Sequence, residues 1–475
     1  MNIKILNIFS YFLYLFICIL SYLAFINYPG QSYIYILFTL LLNALLFFGF
    51  RKDRIFFDTF IGIFFWLGYW LKFSFRVAFM GGKFQVPIGN NFDYSGAAYD
   101  DALLVTSCGV FALLVASYIR EKYFFSYPGE NERISLEGLF TFYKKYRKLI
   151  WIAFFTLFAT ISVTNAYFGI YQRGTVPRTK LPYKLSGIYT WLLLFGAASF
   201  SALLLEFEFK LNKKTTYCVV ALSLLESFFS NVSMLSRGMV LNVSALSIGA
   251  IRSLKLHSIF LTYRFKIISL LMIIFLFASS VILVNQIRSN QFNNNPADIA
   301  STSKNIALAS VSSNIKTLIL DRWVGIEGVM AVSSYPKLGW DLWKNAWKEK
   351  YSDHGTSFYD LEIVTTSYTN TDFSKHHFIS LPGILAFFYY PGSFIFLFLS
   401  MLLVGALGAG IEISIYKLSD SNVILCSLLA QVVAYRYAHF GYVPGRSYLL
   451  FGTICLNVLL IYSFNKFLLS RRRKQ

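Results

Sequence analysis

Apolar runs of about twenty residues recur along the whole chain. In hydrocarbon such a run has no water to satisfy its backbone, so it must close its N–H and C=O groups internally, as a helix. Twelve can be placed, at 7–27, 32–50, 56–79, 100–119, 149–167, 186–206, 216–235, 238–253, 266–285, 391–415, 421–438 and 447–467. The first is too long for a signal peptide, and no small-x-small cleavage site closes it. Only 14% of the 475 residues are charged, against roughly 25% in soluble domains. That excludes a soluble enzyme, a disordered chain and a disulfide scaffold. The expectation is an all-α polytopic membrane protein with about 12 transmembrane helices.

The net charge of +20 then has to be placed. One set of connections carries Arg51-Lys52-Asp53-Arg54, Lys144-Lys145-Tyr146-Arg147-Lys148, Lys210 to Lys214 and Arg252 to Lys266; the tail Arg471-Arg472-Arg473-Lys474 falls on the same side. Lysine and arginine in short loops mark the cytoplasmic face, so both termini are expected inside. More than half of the 43 basic residues lie there. The parity closes only if 378–390, apolar but short and broken by Pro382-Gly383, does not cross; a thirteenth crossing would put the basic tail outside. Three regions follow: helices 1–9 over 1–285, a long outer segment over 286–390, and helices 10–12 with the basic tail over 391–475. The basic residues are scattered between apolar runs, which offers no nucleic-acid footprint. Cys18, Cys108, Cys218, Cys426 and Cys455 all sit in apolar stretches without CxxC spacing, so neither a disulfide nor a thiolate metal site is expected.

The informative cations are those that topology disfavours. The outer loop 168–185 holds Arg173, Arg178, Lys180 and Lys184, and no carboxylate occurs between Arg147 and Glu206. Two prolines and two glycines make it a shaped loop. Arg237 sits in a tight hairpin, Arg288 follows a span, Arg322 opens Arg322-Trp323-Val324-Gly325-Ile326-Glu327-Gly328, and Arg436 and Arg446 flank the connection between the last two spans. Arginine suits phosphate because its planar fork donates two parallel hydrogen bonds and stays charged. These arginines are therefore expected to line one anionic cavity at the outer face; the plainer alternative is solvated charge near anionic lipid headgroups.

The long outer segment is expected to carry helices at 303–334 and 339–349. In the second, Trp340, Trp343 and Trp347 recur at helical spacing, either as the buried face of an interfacial helix or as a platform for sugar rings. Glu327, His354, His376 and His377 are the groups on this face that could accept a proton, although surface histidines are commonly just that. His439, flanked by aromatics, reads as structural. Glu226 lies within a span, as a satisfied interior carboxyl or a functional one. No Asp-x-Asp pair occurs, Asp360-Leu361-Glu362 being the nearest approach, and no nucleotide-binding glycine motif is present; no metal or cofactor is expected.

Many apolar helices, a basic outer loop with Arg173 and Arg178, one long outer segment, and the stretches Arg322 to Gly328 and His377-Phe378-Ile379-Ser380-Leu381-Pro382-Gly383 together resemble the Wzy-type O-antigen and capsule repeat-unit polymerases, GT-C-like membrane glycosyltransferases. The spacing Arg173 to Gly187 is longer than that family's usual arginine-to-glycine spacing. The resemblance implies a multi-pass enzyme of the bacterial inner membrane that needs no metal. It would transfer a glycan from undecaprenyl diphosphate to a sugar hydroxyl of another lipid-linked unit at the periplasmic face. Arg173, Arg178, Arg237, Arg288, Arg322, Arg436 and Arg446 would then hold the diphosphate. Glu327, His377 or His376 would serve as the base, and Trp340, Trp343 and Trp347 would contact glycan. The implied partners are the lipid-linked glycan, membrane lipids and a chain-length regulator, with no nucleic acid. An O-antigen ligase or other lipid-linked sugar transferase is the nearer alternative. A lipid-linked oligosaccharide flippase is the further one, although it would not need the long outer segment.

Overall fold

In a computed structural model the chain is described over residues 3–51, 53–84, 88–127, 136–212, 217–256, 262–292, 320, 322–352, 356–365 and 379–473. Among the described residues it is helical, without strands. The long helices are α1 (Ile3–Asn27), α2 (Ser32–Gly49), α3 (Phe56–Met80), α4 (Gly96–Tyr123), α5 (Glu137–Phe168), α6 (Pro182–Asn212), α7 (Tyr217–Ser233), α8 (Met239–Leu256) and α9 (Tyr263–Phe292). Three short ones follow, α10 (Ile326–Ser333), α11 (Trp340–Trp347) and α12 (Ile384–Tyr389), then α13 (Phe394–Leu418), α14 (Val423–Ala438) and α15 (Ser447–Arg473). A helix occupies every one of the twelve expected spans. Nine of the described helices are long and apolar enough to cross a membrane; Tyr11–Asn27 and Val423–Ala438 are shorter apolar helices. α9 and α15 leave Leu270, Ile274, Phe275, Leu456, Leu459 and Leu460 exposed, which suits a hydrocarbon surround rather than water.

The residues fall into two compact units. One comprises 1–127, 297–410 and 433–447; the other comprises 128–296, 411–432 and 448–475.

In the first unit α3 is the enclosed helix, with Phe57, Phe60, Phe65, Tyr69, Trp70 and Phe73 all buried. Its middle turn, Trp66–Leu71, widens to a π-helix. Such a bulge inserts one residue and so turns the following face by about 100°. Lys72 and Arg76, just beyond it, are buried at 1% and 2% exposure. α10 lies in this core, with Ile326, Val329, Met330 and Val332 fully enclosed. Helix is absent from 322–325, which were expected to be helical; 303–319 lie outside the described residues. The segment expected not to cross contains α12, six residues and about 9 Å long, whose Leu385 packs on Gly109 of α4.

In the second unit α7 packs against α5, α6, α8 and α9. One inner cluster joins Leu224, Phe228, Met239 and Val243. Polar anchors reinforce it: Arg147 holds Glu208 at 2.6 Å and Lys210 holds Glu206 at 3.2 Å.

Candidate functional site

In the second unit the basic loop is built from a single buried amide. Asn165, in the last turn of α5 and fully buried, accepts a hydrogen bond from the Tyr171 N–H at 2.8 Å. Its Nδ2 donates to the Tyr171 carbonyl at 3.0 Å and to the Ser233 carbonyl at 2.9 Å. α5 ends at Gly169 in the left-handed region, with φ +61°, where glycine is the residue without penalty. The chain then turns back. Arg173 N–H donates to the Met234 carbonyl at 2.9 Å, and Arg288 Nη2 donates to the Arg173 carbonyl at 2.8 Å. Arg178 folds over Gly169, its N–H on the Gly169 carbonyl at 3.0 Å and its Nη2 on the Ala166 carbonyl at 3.3 Å. Three of the expected arginines, Arg173, Arg178 and Arg288, are thus fastened to one end of this unit, and Arg173 is tied to the hairpin that carries Arg237. Burial pulls the Arg237 guanidinium below its usual pKa. Glu226, enclosed in α7, accepts from Ser230 at 2.8 Å, which is the satisfied-carboxyl outcome.

The first unit holds the other three arginines. Here the two stretches singled out in the sequence pack on each other and on the π-bulge of α3. A Cβ on Gly325 would overlap the Gly68 carbonyl, one on Gly68 would overlap the Val324 carbonyl, and one on Gly328 would overlap the Pro382 carbonyl. Glycine permits these backbone approaches. The contact is closed by a buried ion pair. Lys72 Nζ lies 2.6 Å from Glu327 Oε1 and also donates to the Trp323 carbonyl. Glu327 is therefore a partnered carboxylate at 6% exposure, and would have to leave Lys72 to act as a base.

Arg322, at the half-exposed start of this segment, lies over the Trp323 ring at 5.6 Å. Trp323 stacks on Phe64, and Phe64 meets the edges of Tyr435 and His439. Arg436 donates to Ser447 Oγ at 3.0 Å, and the exposed Arg446 lies over the Tyr351 ring at 4.6 Å. The loop carrying Arg446 is pinned by Glu349, which accepts from the Val443 N–H at 2.7 Å and from the Phe358 N–H at 2.6 Å. Burial, with Asp360 adding to it, pushes the Glu349 carboxyl above its usual range.

The tryptophan helix is held in protein packing. Trp340 and Trp343 meet Phe396, and Trp347 meets Phe387 and Phe440; Trp340 remains half exposed. Asp360 accepts from Thr356, Ser357 and the Ser380 N–H, so it caps a turn, while Glu362 accepts from Tyr335. His354, His376 and His377 lie outside the described residues.

The seven arginines thus divide by unit, with Arg173, Arg178, Arg237 and Arg288 in one and Arg322, Arg436 and Arg446 in the other. Sequence reading missed Lys72, Arg76 and Asn165, because each lies inside an apolar run. For Lys72 and Arg76 the available signal was a charge inside a span, since ionisable groups at such depth are costly unless partnered. No protein-family model, no curated protein and no solved structure matches the chain.

Proposed function

We propose that this chain is a multi-pass glycosyltransferase of the bacterial inner membrane that polymerises undecaprenyl-diphosphate-linked oligosaccharide repeat units at the periplasmic face. In this reading all twelve helices cross and both termini are cytoplasmic. The ion pairs Arg54–Glu121, Arg120–Asp58, Arg147–Glu208 and Lys210–Glu206 then belong to the inner side. The loop of Arg173 and Arg178, the Arg237 hairpin, Arg288 and the Arg322 segment belong to the outer side.

The observation that carries the reading is the fastening of Arg173, Arg178 and Arg288 around Asn165, beside the Arg237 hairpin. Arginines whose loop backbone, and for Arg178 and Arg288 whose guanidinium groups, are already ordered by contacts with main-chain carbonyls suit an anion that brings its own charge. The donor supplies a lipid diphosphate as leaving group. Negative charge grows on that group as the glycosidic bond breaks, so fixed arginines favour the transition state over the ground state. A partly desolvated guanidinium such as Arg237 gains further from an anionic neighbour. Membrane lipids and a chain-length regulator are the accompanying partners.

The test is deletion in the native bacterium followed by analysis of its surface glycan. Loss of a polymerase leaves single repeat units on the final carrier and no long chains. Long lipid-linked chains that never reach their carrier would favour an O-antigen ligase instead. Loss of every repeat unit from the outer face would favour a flippase.

A further inference from the structure

Glu226 lies within the apolar run 216–235 and is 1% exposed. Its carboxylate is met by hydroxyls of its own helix. Ser230 Oγ donates to Oε1 at 2.8 Å, and Ser227 Oγ approaches Oε2 at 3.4 Å. Other buried carboxylates are answered by charge: Asp58 by Arg120 at 2.8 Å, Glu206 by Lys210 at 3.2 Å, Glu208 by Arg147 and Glu327 by Lys72, both at 2.6 Å. Among the described residues Glu226 has no such ion pair. The hydroxyls satisfy its hydrogen bonds but supply no charge, and an uncompensated carboxylate in an apolar interior is costly. A second group stands beside it. Ser162 of α5 is 5% exposed, and its Oγ has no hydrogen-bond partner. Ser162 and Ser230 line one small cavity, together with Leu192 and Leu193 from the π-helical turn Leu192–Gly196 of α6. The orphaned hydroxyl thus shares a cavity with the hydroxyl that holds the Glu226 carboxylate. α5, α6 and α7 all belong to the second unit.

We propose that Glu226, Ser230 and Ser162 form a sodium site between α7 and α5. The inference follows from the surroundings of one buried carboxylate and does not depend on the glycosyltransferase reading. All three side chains offer oxygen and none offers nitrogen or sulfur, which suits a hard cation. A single carboxylate carries one negative charge, so a monovalent ion neutralises it, whereas a divalent ion would leave a buried positive charge. A proton would also neutralise it but would leave Ser162 Oγ without a partner; a coordinated ion engages that oxygen. The small cavity favours the smaller alkali ion. The ion ties α5 to α7 about one turn before the bond from Asn165 Nδ2 to the Ser233 carbonyl, since Ser162 and Ser230 each precede that pair by three residues, about 4.5 Å along a helix. Sodium therefore reinforces the frame on which the basic loop is built.

The experiment measures the melting temperature of the purified full chain in sodium, potassium and choline chloride at one ionic strength and one pH. An ion bound by the folded protein alone stabilises it by mass action. Sodium is therefore expected to raise the melting temperature by several degrees over choline, and potassium to raise it less. Glu226→Gln keeps the size of the side chain and an acceptor for Ser230 but removes the charge. It is expected to melt at the same temperature in all three salts. Ser162→Ala keeps the charge and loses one ligand, so it is expected to need severalfold more sodium for the same rise. A wild-type melting temperature equal in the three salts overturns the site, without recourse to any variant. So does a rise that is equal in potassium, or one that survives in Glu226→Gln. A stability that ignores sodium but rises as pH falls, with that rise absent from Glu226→Gln, gives the carboxyl a proton instead and overturns the sodium site as well.

Discussion

Lys72 and Glu327, 255 positions apart in the chain, form a buried ion pair with Nζ 2.6 Å from Oε1. The pair draws the segment that begins at Arg322 onto the π-bulge of α3, and Lys72 reinforces the link through the Trp323 carbonyl. Removing one member of a buried pair leaves the other charged and unpartnered, at a cost of about 3–5 kcal/mol, whereas replacing both by apolar groups of similar volume is often neutral. Lys72→Met and Glu327→Leu should therefore each lower the melting temperature of the purified protein sharply. The double variant should recover most of that loss. Additive losses would show that the pair does not act as a unit.

The glycines between these segments are needed for space. Gly325→Ala and Gly328→Ala would each place a methyl group inside a backbone carbonyl, that of Gly68 or Pro382. Neither partner is a side chain that can swing away, so the 322–328 segment must shift. Loss of chain elongation with retained membrane insertion is expected from both, read from the glycan ladder and from membrane immunoblots. Gly187→Ala, where a Cβ meets nothing within 4 Å, is the control and should leave the ladder unchanged.

The Asn165 side chain makes hydrogen bonds to the Tyr171 N–H and carbonyl and to Ser233 that shape the basic loop. Each is worth about 1 kcal/mol net, and every buried group left unpaired costs about 1–3 kcal/mol more. Asn165→Ala should lower stability by a few kcal/mol and weaken the apparent affinity for the lipid-linked donor, because the backbone holding Arg173 is released. An unchanged KM for that donor would separate the loop from donor binding.

Arg173→Ala, Arg288→Ala and Arg322→Ala test the diphosphate reading directly. Loss of one donor that stabilises a developing oxyanion costs about 10²–10³ in rate, which on a surface-glycan gel is loss of long chains with expression intact. Wild-type chain lengths in all three would remove the arginines from the mechanism.

Glu349 offers a test by pH. Its carboxyl is pushed up chiefly by burial, with Asp360 adding to it, so the folded protein holds that proton more tightly than the unfolded chain does. The associated stability is fully present below the ordinary glutamate range and is lost as pH rises through the raised folded value. Melting temperature should fall by a few degrees across that window. Glu349→Gln, which cannot ionise, should flatten this part of the profile while lying lower throughout, since one of its two backbone N–H partners loses an acceptor.

Periodicity and run length determined the helices on their own. Every expected span contains one, because a run of twenty apolar residues has no other way to satisfy its backbone in hydrocarbon. The arginines in loops were equally legible, since charge outside an apolar run stands out against it. Chemistry inside the runs could not be read that way. Lys72 and Asn165 look like interruptions of a hydrophobic pattern until their partners are known, and the telling partners come from distant parts of the chain: Glu327 for Lys72, Ser233 for Asn165. The same holds for Glu327 and His439. As sequence, one reads as an available base and the other as structural. In the fold, the first is held by an ammonium group, and the second stacks on Tyr435 with Nδ1 3.1 Å from its carbonyl. Which partner engages a polar group is a matter of what stands within hydrogen-bond reach of it, and only the tertiary structure decides that.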